Sequence, residues 1–142
     1  MEISAGILIL YEDKGLFAQP IQTKRHMWGI PKGKVELNED LATTASRETM
    51  EEVGIYIAPE KLKNCRKIVY KDRKTNSVYK KVYFYVYRIS SLSEIGLQDI
   101  ELPQSMLGEC EIVSAKFMTK EEASKYIFWR QRKLLDLVGY GE

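Results

Sequence analysis

Three glutamates stand close enough in the sequence to act together on a metal ion. Glu48, Glu51 and Glu52 occupy positions i, i+3 and i+4. In a helix this spacing places the three carboxylates within a sector about 100° wide. Like charges at this distance repel, and a divalent cation turns the repulsion into attraction. Mg²⁺ prefers carboxylate, water and phosphate oxygens. The spacing therefore predicts a magnesium-binding face on a helix.

These glutamates belong to a longer pattern in residues 33–55, GKVELNEDLATTASRETMEEVGI. Its spacing resembles the Nudix signature, G-x5-E-x7-R-E-U-x-E-E-x-G-U, where U is an apolar residue. Thr49 stands at the first U and is the one departure. Because Thr is small, we expect it to pack under the helix. The residues that match are Gly33, Glu39, Arg47, Glu48, Glu51, Glu52, Gly54 and Ile55.

The resemblance implies both a fold and a reaction. Nudix proteins are α/β proteins that fold as an α/β/α sandwich, with a mixed β-sheet between helices. We expect residues 1–142 to form one such domain. The family hydrolyses nucleoside diphosphates linked to another group. The resemblance therefore implies a pyrophosphohydrolase that depends on Mg²⁺, with Mn²⁺ as a possible substitute.

The resemblance also assigns a metal site. It implies that the backbone carbonyl of Gly33 and the carboxylates of Glu48, Glu51 and Glu52 are ligands. In Nudix relatives a further carboxylate outside the signature often completes the site. The candidates in the corresponding region are, in order of preference, Glu111 and Glu109.

The implied catalytic set is Glu52, Glu48 and Arg47. Either Glu52 or Glu48 would take the proton from the attacking water, although some relatives use a loop carboxylate instead. Arg47 would keep the glutamates oriented. We expect Glu39 to hold the loop and Arg47 rather than to do chemistry.

The segment before the signature contains candidate substrate contacts. Residues 28–34, WGIPKGK, resemble the lead-in of diadenosine tetraphosphate hydrolases. Lys32 and Lys34 flank the Gly33 turn, where they would meet phosphate oxygens or else remain solvated. Trp28 either packs in the core or forms a wall of the substrate cleft. His26, the only histidine, is either solvated or near the entrance of the site.

Residues 77–89 alternate in polarity and predict a strand with two different faces. We assign Lys81 and Tyr83 to substrate binding, because their face carries four tyrosines and can stack a base. Packing within the sheet is the alternative for most of these tyrosines. Lys80 interrupts the apolar residues of the other face. Residues 61–81 carry nine basic side chains and one acidic one, so this segment is either a solvated face or an attraction for a polyanion.

Several substrates contain a phosphate chain, and the metal site alone does not choose among them. We expect a dinucleoside polyphosphate such as diadenosine tetraphosphate. The alternatives are the 5′ end of an RNA, which would lose pyrophosphate, and an inositol pyrophosphate. A non-catalytic ligand-binding module is a possibility of another class. The presence of every signature glutamate disfavours it.

The elements that must position these residues follow from local patterns. We expect strands over residues 3–11, 16–21, 65–71, 77–89 and 109–118, with a long loop over residues 90–108. The signature helix should begin after an Asn38 N-cap, with Glu39 and Asp40 in its first turn, and end at Gly54. A capping box at Thr119 should open a last helix that breaks near Phe128.

The amino-acid composition indicates the class of protein and the compartment in which it works. The 142 residues are 44% hydrophobic and 30% charged, as in an ordinary globular domain, and the net charge of +2 creates no strong global field. We expect Cys65 and Cys110 to be buried thiols of a reduced, cytoplasmic protein. The longest apolar run, residues 5–11, is too short to span a bilayer. We therefore expect no membrane partner, and either a monomer or a homodimer.

Overall fold

The computed structural model describes residues 1–21 and 27–137. Six strands form one mixed sheet in the order β4-β5-β1-β2-β6, and β3 pairs with β1. The parallel pair β1–β5 joins ten residue pairs, and the other strand pairs are antiparallel. The strands are β1 (Glu2–Tyr11), β2 (Lys14–Pro20), β3 (Lys32–Lys34), β4 (Arg66–Lys71), β5 (Val78–Ile89) and β6 (Ile112–Thr119).

Helices cover both faces of this sheet because β1 is apolar on both sides. Ile7 and Ile9 belong to one core with Val53 of helix α1 (Leu41–Val53). Leu8 and Leu10 belong to a second core that includes residues of the helices α2 (Lys120–Tyr126) and α3 (Leu134–Leu137). The α/β/α sandwich with a mixed sheet is therefore confirmed. No helix of the described residues is both long and apolar enough to cross a membrane.

Helix α1 begins two residues later than the sequence suggests. Asp40 is its N-cap, and the Asp40 carboxylate accepts a hydrogen bond from the backbone N–H of Thr43 at 2.8 Å. Asn38 instead has φ of +64°, which is incompatible with the extended backbone of an N-cap. Glu39 and Asp40 consequently precede the first turn. The predicted end is confirmed, since Gly54 is left-handed and its N–H bonds to the carbonyl of Met50.

The structure also tests the expected start of β6, the expected loop over residues 90–108, the last helix and the burial of the two cysteines. β6 starts at Ile112, so Glu109 and Glu111 fall in the preceding turn. Residues 90–108 contain two 3-10 helices, Leu92–Ile95 and Gln104–Met106. The capping box at Thr119 is confirmed, and so is the break near Phe128, which precedes the 3-10 helix Trp129–Gln131. The expectation of buried thiols is wrong, because Cys65 and Cys110 are exposed.

The left-handed turn at Asn38 generates a stability prediction for the loop that leads into α1. Asn38→Ala should lower the free energy of unfolding by about 1 kcal/mol, because a Cβ without a local hydrogen-bonding group disfavours positive φ. Asn38→Gly should be close to neutral, since glycine accepts this conformation. Urea unfolding of the two variants checks the pair. Equal losses of unfolding free energy in both variants would show that the Asn38 side chain, rather than its positive φ, determines the stability of this loop.

Candidate active site

The signature helix meets strand β3 at Gly33, where the second half of α1 packs against the strand. Glu48 lies directly against Gly33, and a Cβ added at Gly33 would overlap the Glu48 carboxylate. The Glu48 side chain is 15% exposed, whereas that of Glu51 is 49% exposed. The close packing of β3 and α1 therefore requires the Glu48 carboxylate to move if any side chain is introduced at Gly33.

Arg47 holds the acidic side chains in place. Its Nη1 lies 2.8 Å from Glu48 Oε1 and 3.3 Å from Glu51 Oε2. Its Nε and Nη2 donate to the two carboxylate oxygens of Glu39 at 2.7 and 2.9 Å, and Nη2 also reaches the carbonyl of Lys34 at 3.1 Å. These hydrogen bonds raise the pKa of Arg47 further, chiefly through Glu39. One guanidinium thus links the loop before α1 to the glutamates on α1.

A cavity of about 230 Å³ opens beside these residues. Glu52 and Glu111 contribute carboxylates to its wall, and Lys32 and Lys80 contribute ammonium groups. The opposite charges come from distant parts of the chain and converge on one space. The other lining residues are Ala18, Pro20, Met27, Gly29, Ile30, Tyr70, Ile112, Phe128 and Gln131.

The charges in this cavity are strongly perturbed. Burial raises the pKa of Glu52 to about 8, with further contributions from the charges of Glu48 and Glu111 and an opposing one from Lys32. Burial lowers the pKa of Lys32 to about 8, and the neighbouring Lys80 ammonium lowers it further. Burial also raises the pKa of Glu48, although Arg47 opposes this effect. Burial therefore disfavours the charged forms of the acidic and the basic groups in this cavity, which lowers the stability of the protein.

The turn before β6 delivers Glu111 to this acidic end. The N–H of Gly108 donates to the carbonyl of Glu52 at 2.9 Å, which fastens the turn to the last turn of α1. The backbone carbonyl of Glu111 accepts from the N–H of Ile21 at 2.8 Å. The structure thus places Glu111, the preferred candidate for the metal ligand outside the signature, in the cavity wall together with Glu52. Glu109 is exposed and does not line the cavity.

The donor set fits a hard divalent cation. The available donors are carboxylate and carbonyl oxygens. Burial disfavours the charged forms of Glu48 and Glu52 and raises their pKa values, and a bound divalent cation would favour the charged forms. Within residues 1–21 and 27–137, no three acidic, His or Cys side chains already converge on one metal position. Arg47 holds Glu48 and Glu51, so closing the ligand shell requires side-chain rotation.

Three of the expected substrate contacts lie away from the cavity. Trp28 is 8% exposed and packs in the core on the α2 side of the sheet. Lys81 and Tyr83 pair with Ile3 and Ala5 of β1, which places them on the α1 side, whereas Lys80 lies on the cavity side. Trp28 therefore takes the core position that was the alternative to the cleft wall, and the face of β5 that borders the cavity carries Lys80 rather than Lys81 and Tyr83.

Of the two lysines that flank Gly33, only Lys32 lines the cavity. Lys34 is exposed and forms an ion pair with Glu2 at 3.4 Å. His26 lies outside the described residues.

Sequence reasoning missed the cavity residues Lys80, Tyr70 and Gln131. The sequence did contain an indication for Lys80, because a charged residue in the middle of an apolar strand face is usually paired or functional. Its Nζ lies 2.7 Å from Glu2 Oε2 and 5.3 Å from the centre of the Tyr70 ring. Gln131 is 3% exposed, accepts from the N–H of Ile30 at 3.1 Å and donates to the Tyr70 hydroxyl at 3.2 Å. No local sequence pattern predicts these contacts of Gln131.

Comparison with known proteins places the chain in a family. The NUDIX domain model matches residues 2–138, so the chain belongs to the Nudix family. The structure of a C. elegans Ap4A hydrolase binary complex superposes with a TM-score of 0.67 at 23% identity, covering 96% of this chain and 93% of the nematode chain. A MutT NUDIX hydrolase from Burkholderia pseudomallei gives a TM-score of 0.70 at 17% identity, covering 96% and 97%.

A curated relative covers only part of the chain. An uncharacterized 17.7 kDa protein from the e-segB intergenic region of Enterobacteria phage T4 is 45% identical over 60 residues. The match spans 37% of this chain and 39% of the phage protein, so the chain spans about two fifths of that relative's length. The structural neighbours are Nudix hydrolases, and such enzymes generally use divalent metal ions.

The Glu39–Arg47 pair generates a pH prediction. Hydrogen bonds from Arg47 lower the pKa of Glu39 from 4.5 to about 2. A depressed folded-state pKa gives stability that is present above the unfolded value and lost as the pH falls. Glu39→Gln should therefore lower the free energy of unfolding by about 2 kcal/mol at pH 7, with the deficit shrinking between pH 4.5 and about 2.

Urea unfolding over this pH range measures the effect. Glu60→Gln, which changes an exposed glutamate of the 3-10 helix Pro59–Lys61, is the matched control and should follow the wild-type profile. A deficit for Glu39→Gln that stays constant down to pH 2 would contradict the assignment.

Proposed function

We propose that this protein is a metal-dependent pyrophosphohydrolase that cleaves a phosphoanhydride bond in a dinucleoside polyphosphate of the diadenosine tetraphosphate type. The observation that carries the proposal is the cavity itself. Glu52 and Glu111 supply carboxylates on one side, and Lys32 and Lys80 supply ammonium groups for phosphate oxygens on the other. This division of charge suits a metal-neutralised phosphate chain.

The resident metal is proposed to be Mg²⁺, with Mn²⁺ able to replace it. The Gly33 carbonyl and the carboxylates of Glu48, Glu51, Glu52 and Glu111 would hold it. A bound divalent cation would neutralise phosphate charge and polarise the bond to the leaving group. The contact of Glu48 with Gly33 supports a site at this turn.

The chain's own side chains then have separate tasks. Glu52, which lines the cavity, accepts the proton from the attacking water, and Glu48 is the alternative base. The water oxygen bonds to phosphorus as the anhydride P–O bond breaks, and the leaving phosphate keeps the electron pair. Lys32 and Lys80 bind phosphate oxygens, and Arg47 acts as a positioning residue by holding Glu48 and Glu51.

The size of the cavity supports a substrate that extends beyond it. A volume of about 230 Å³ is below the ~300–1,000 Å³ of sites that enclose drug-sized ligands. The cavity therefore suits the phosphate chain, and the attached nucleosides would lie outside. A dinucleoside polyphosphate satisfies this condition, in line with the fold similarity to the C. elegans Ap4A hydrolase. An RNA 5′ end satisfies it as well, and the basic β4–β5 hairpin beside the cavity favours it as the second candidate.

Replacement of Glu52 tests the reaction. Glu52→Gln should reduce turnover of diadenosine tetraphosphate by about 10³-fold, because the base is lost and the metal site is weakened. In metal-free buffer at pH 7 the same variant should melt at a higher temperature than wild type. A carboxyl whose folded-state pKa is raised from 4.5 to about 8 costs stability at this pH, and glutamine does not carry that cost. A lower melting temperature would mean that the activity loss reflects misfolding.

A substrate panel decides between the candidates. Wild-type protein with Mg²⁺, with Mn²⁺ and with chelator should be assayed on diadenosine tetraphosphate, triphosphorylated RNA and an inositol pyrophosphate. We expect metal-dependent hydrolysis of the dinucleotide. Conversion of the RNA alone would move the assignment to RNA processing. Absence of metal-dependent turnover on every substrate would favour the ligand-binding module.

The two adjacent lysines of β5 form a matched pair. Lys80→Ala should raise KM about tenfold, because it removes a charged contact to the phosphate chain. Lys81→Ala should leave KM within about twofold, because Lys81 lies on the opposite face of the sheet. Steady-state kinetics of both variants measures the difference. A larger effect for Lys81→Ala would restore the original assignment of the strand faces.

A further inference from the structure

An exposed group of arginine and aromatic side chains lies beside the cavity. We call it the arginine–aromatic surface and define it as Arg73, Tyr79, Trp129 and Arg130. Trp129 is 48% exposed and Tyr79 is 46% exposed. The Cζ atom of Arg130 lies 4.0 Å from the centre of the Trp129 ring and 5.4 Å from that of Tyr79, and Arg73 Cζ lies 5.0 Å from Trp129. Large rings are thus kept at the surface by contact with cations.

A run of ring contacts connects this surface to the cavity. Tyr70 and Phe128 both line the cavity, and their ring centres are 5.8 Å apart in an edge-to-face arrangement. Phe128 contacts Trp129 at 6.1 Å, and Tyr70 contacts Tyr79 at 6.2 Å. The arginine–aromatic surface is therefore connected to the cavity wall by packed rings, of which Tyr70 is buried.

Arg73 is exposed and available to an anionic ligand, whereas Arg130 is only partly exposed. Among the described residues neither Arg73 nor Arg130 forms an ion pair with a carboxylate within 4.0 Å. Arg130 donates to the carbonyl of Lys71 at 3.1 Å, and its buried Nε has no acceptor in the described part of the chain, so Arg130 contributes positive charge chiefly from beside the rings. The nearby carboxylate of Asp72 accepts from the backbone N–H groups of Lys74 and Thr75 at 2.8 and 3.0 Å, which stabilises the hairpin turn. The surface is consequently positive as well as aromatic.

We propose that the arginine–aromatic surface binds single-stranded nucleic acid, namely the nucleotides that follow a 5′ phosphate group seated in the cavity. Unpaired bases stack on exposed rings, and guanidinium groups neutralise the phosphates between them. A duplex hides the base faces and would leave the rings without partners. An acidic peptide would use the arginines but not two half-exposed rings. The inference rests on the proposed function only in placing the phosphate group in the cavity.

Binding, rather than turnover, tests this surface. The probe is a fluorescent single-stranded RNA of about ten nucleotides with a 5′ monophosphate, which contains no anhydride bond to cleave. Fluorescence anisotropy with Mg²⁺ present gives Kd at several salt concentrations. Arg73→Ala should weaken binding at least about fivefold and reduce the salt slope by about one, because one phosphate contact is lost. Trp129→Leu should weaken binding about tenfold through lost stacking.

Matched controls separate this surface from general charge attraction. Lys63→Ala removes an exposed lysine of the same basic segment and should leave Kd within about twofold. A duplex of the same sequence should bind more weakly than the single strand. Each of three results would overturn the proposal. The first is an equal loss of affinity for Lys63→Ala and Arg73→Ala, and the second is equal binding of duplex and single strand. The third is unchanged binding by both Arg73→Ala and a folded Trp129→Leu.

The outcome is independent of the proposed reaction. If dinucleotides are hydrolysed but the RNA strand does not bind, only this inference fails. If the strand binds as expected but no phosphoanhydride is hydrolysed, the proposed function fails while the surface assignment stands. Arg73 lies in the exposed turn between β4 and β5, so Arg73→Ala keeps the test interpretable if Trp129→Leu is poorly folded.

Discussion

The contact network of Arg47 is the interaction on which the acidic site depends. Without it, Glu48 and Glu51 would repel each other on one helix face, and the loop before α1 would lose its anchor at Glu39. The guanidinium fork satisfies both oxygens of Glu39 while still reaching the α1 carboxylates. Lysine, with a single nitrogen, cannot hold these groups in the same geometry. The arrangement keeps the carboxylates concentrated beside Gly33.

The charged groups in the cavity lower the stability of the protein, although the proposed function requires them. Glu52 and Lys32 are both held where burial disfavours their charged forms. A site selected for stability alone would replace them with apolar side chains of similar size. The polar residue Gln131 has the opposite character, since it is buried but bonded to Ile30 and Tyr70. The cavity wall thus combines charges that burial disfavours with one buried polar side chain whose hydrogen bonds are satisfied.

If both proposals hold, reaction and recognition occupy different but neighbouring parts of the molecule. The charged cavity is small and suits a phosphate chain of any origin, so it contributes little to the choice of substrate. The rings that begin at Tyr70 and Phe128 continue outward to Tyr79 and Trp129, where larger ligand groups would make contact. In this arrangement the surface outside the cavity, rather than the metal site, distinguishes one phosphate-containing ligand from another.

The sequence by itself determined the signature helix and its acidic face, because spacing within a helix is set by local bond geometry. It also identified the Nudix resemblance, which implied that the Gly33 carbonyl and Glu48 are ligands of one metal site. The direct contact between Gly33 and Glu48 was shown only by the structure. The face of β5 was decided only by the tertiary structure. Alternation shows that Lys80 and Lys81 point to opposite sides, but not which side borders the cavity. The contact between Gln131 and Ile30, 101 residues apart, likewise depends on the path of the whole chain, to which no local pattern gives access.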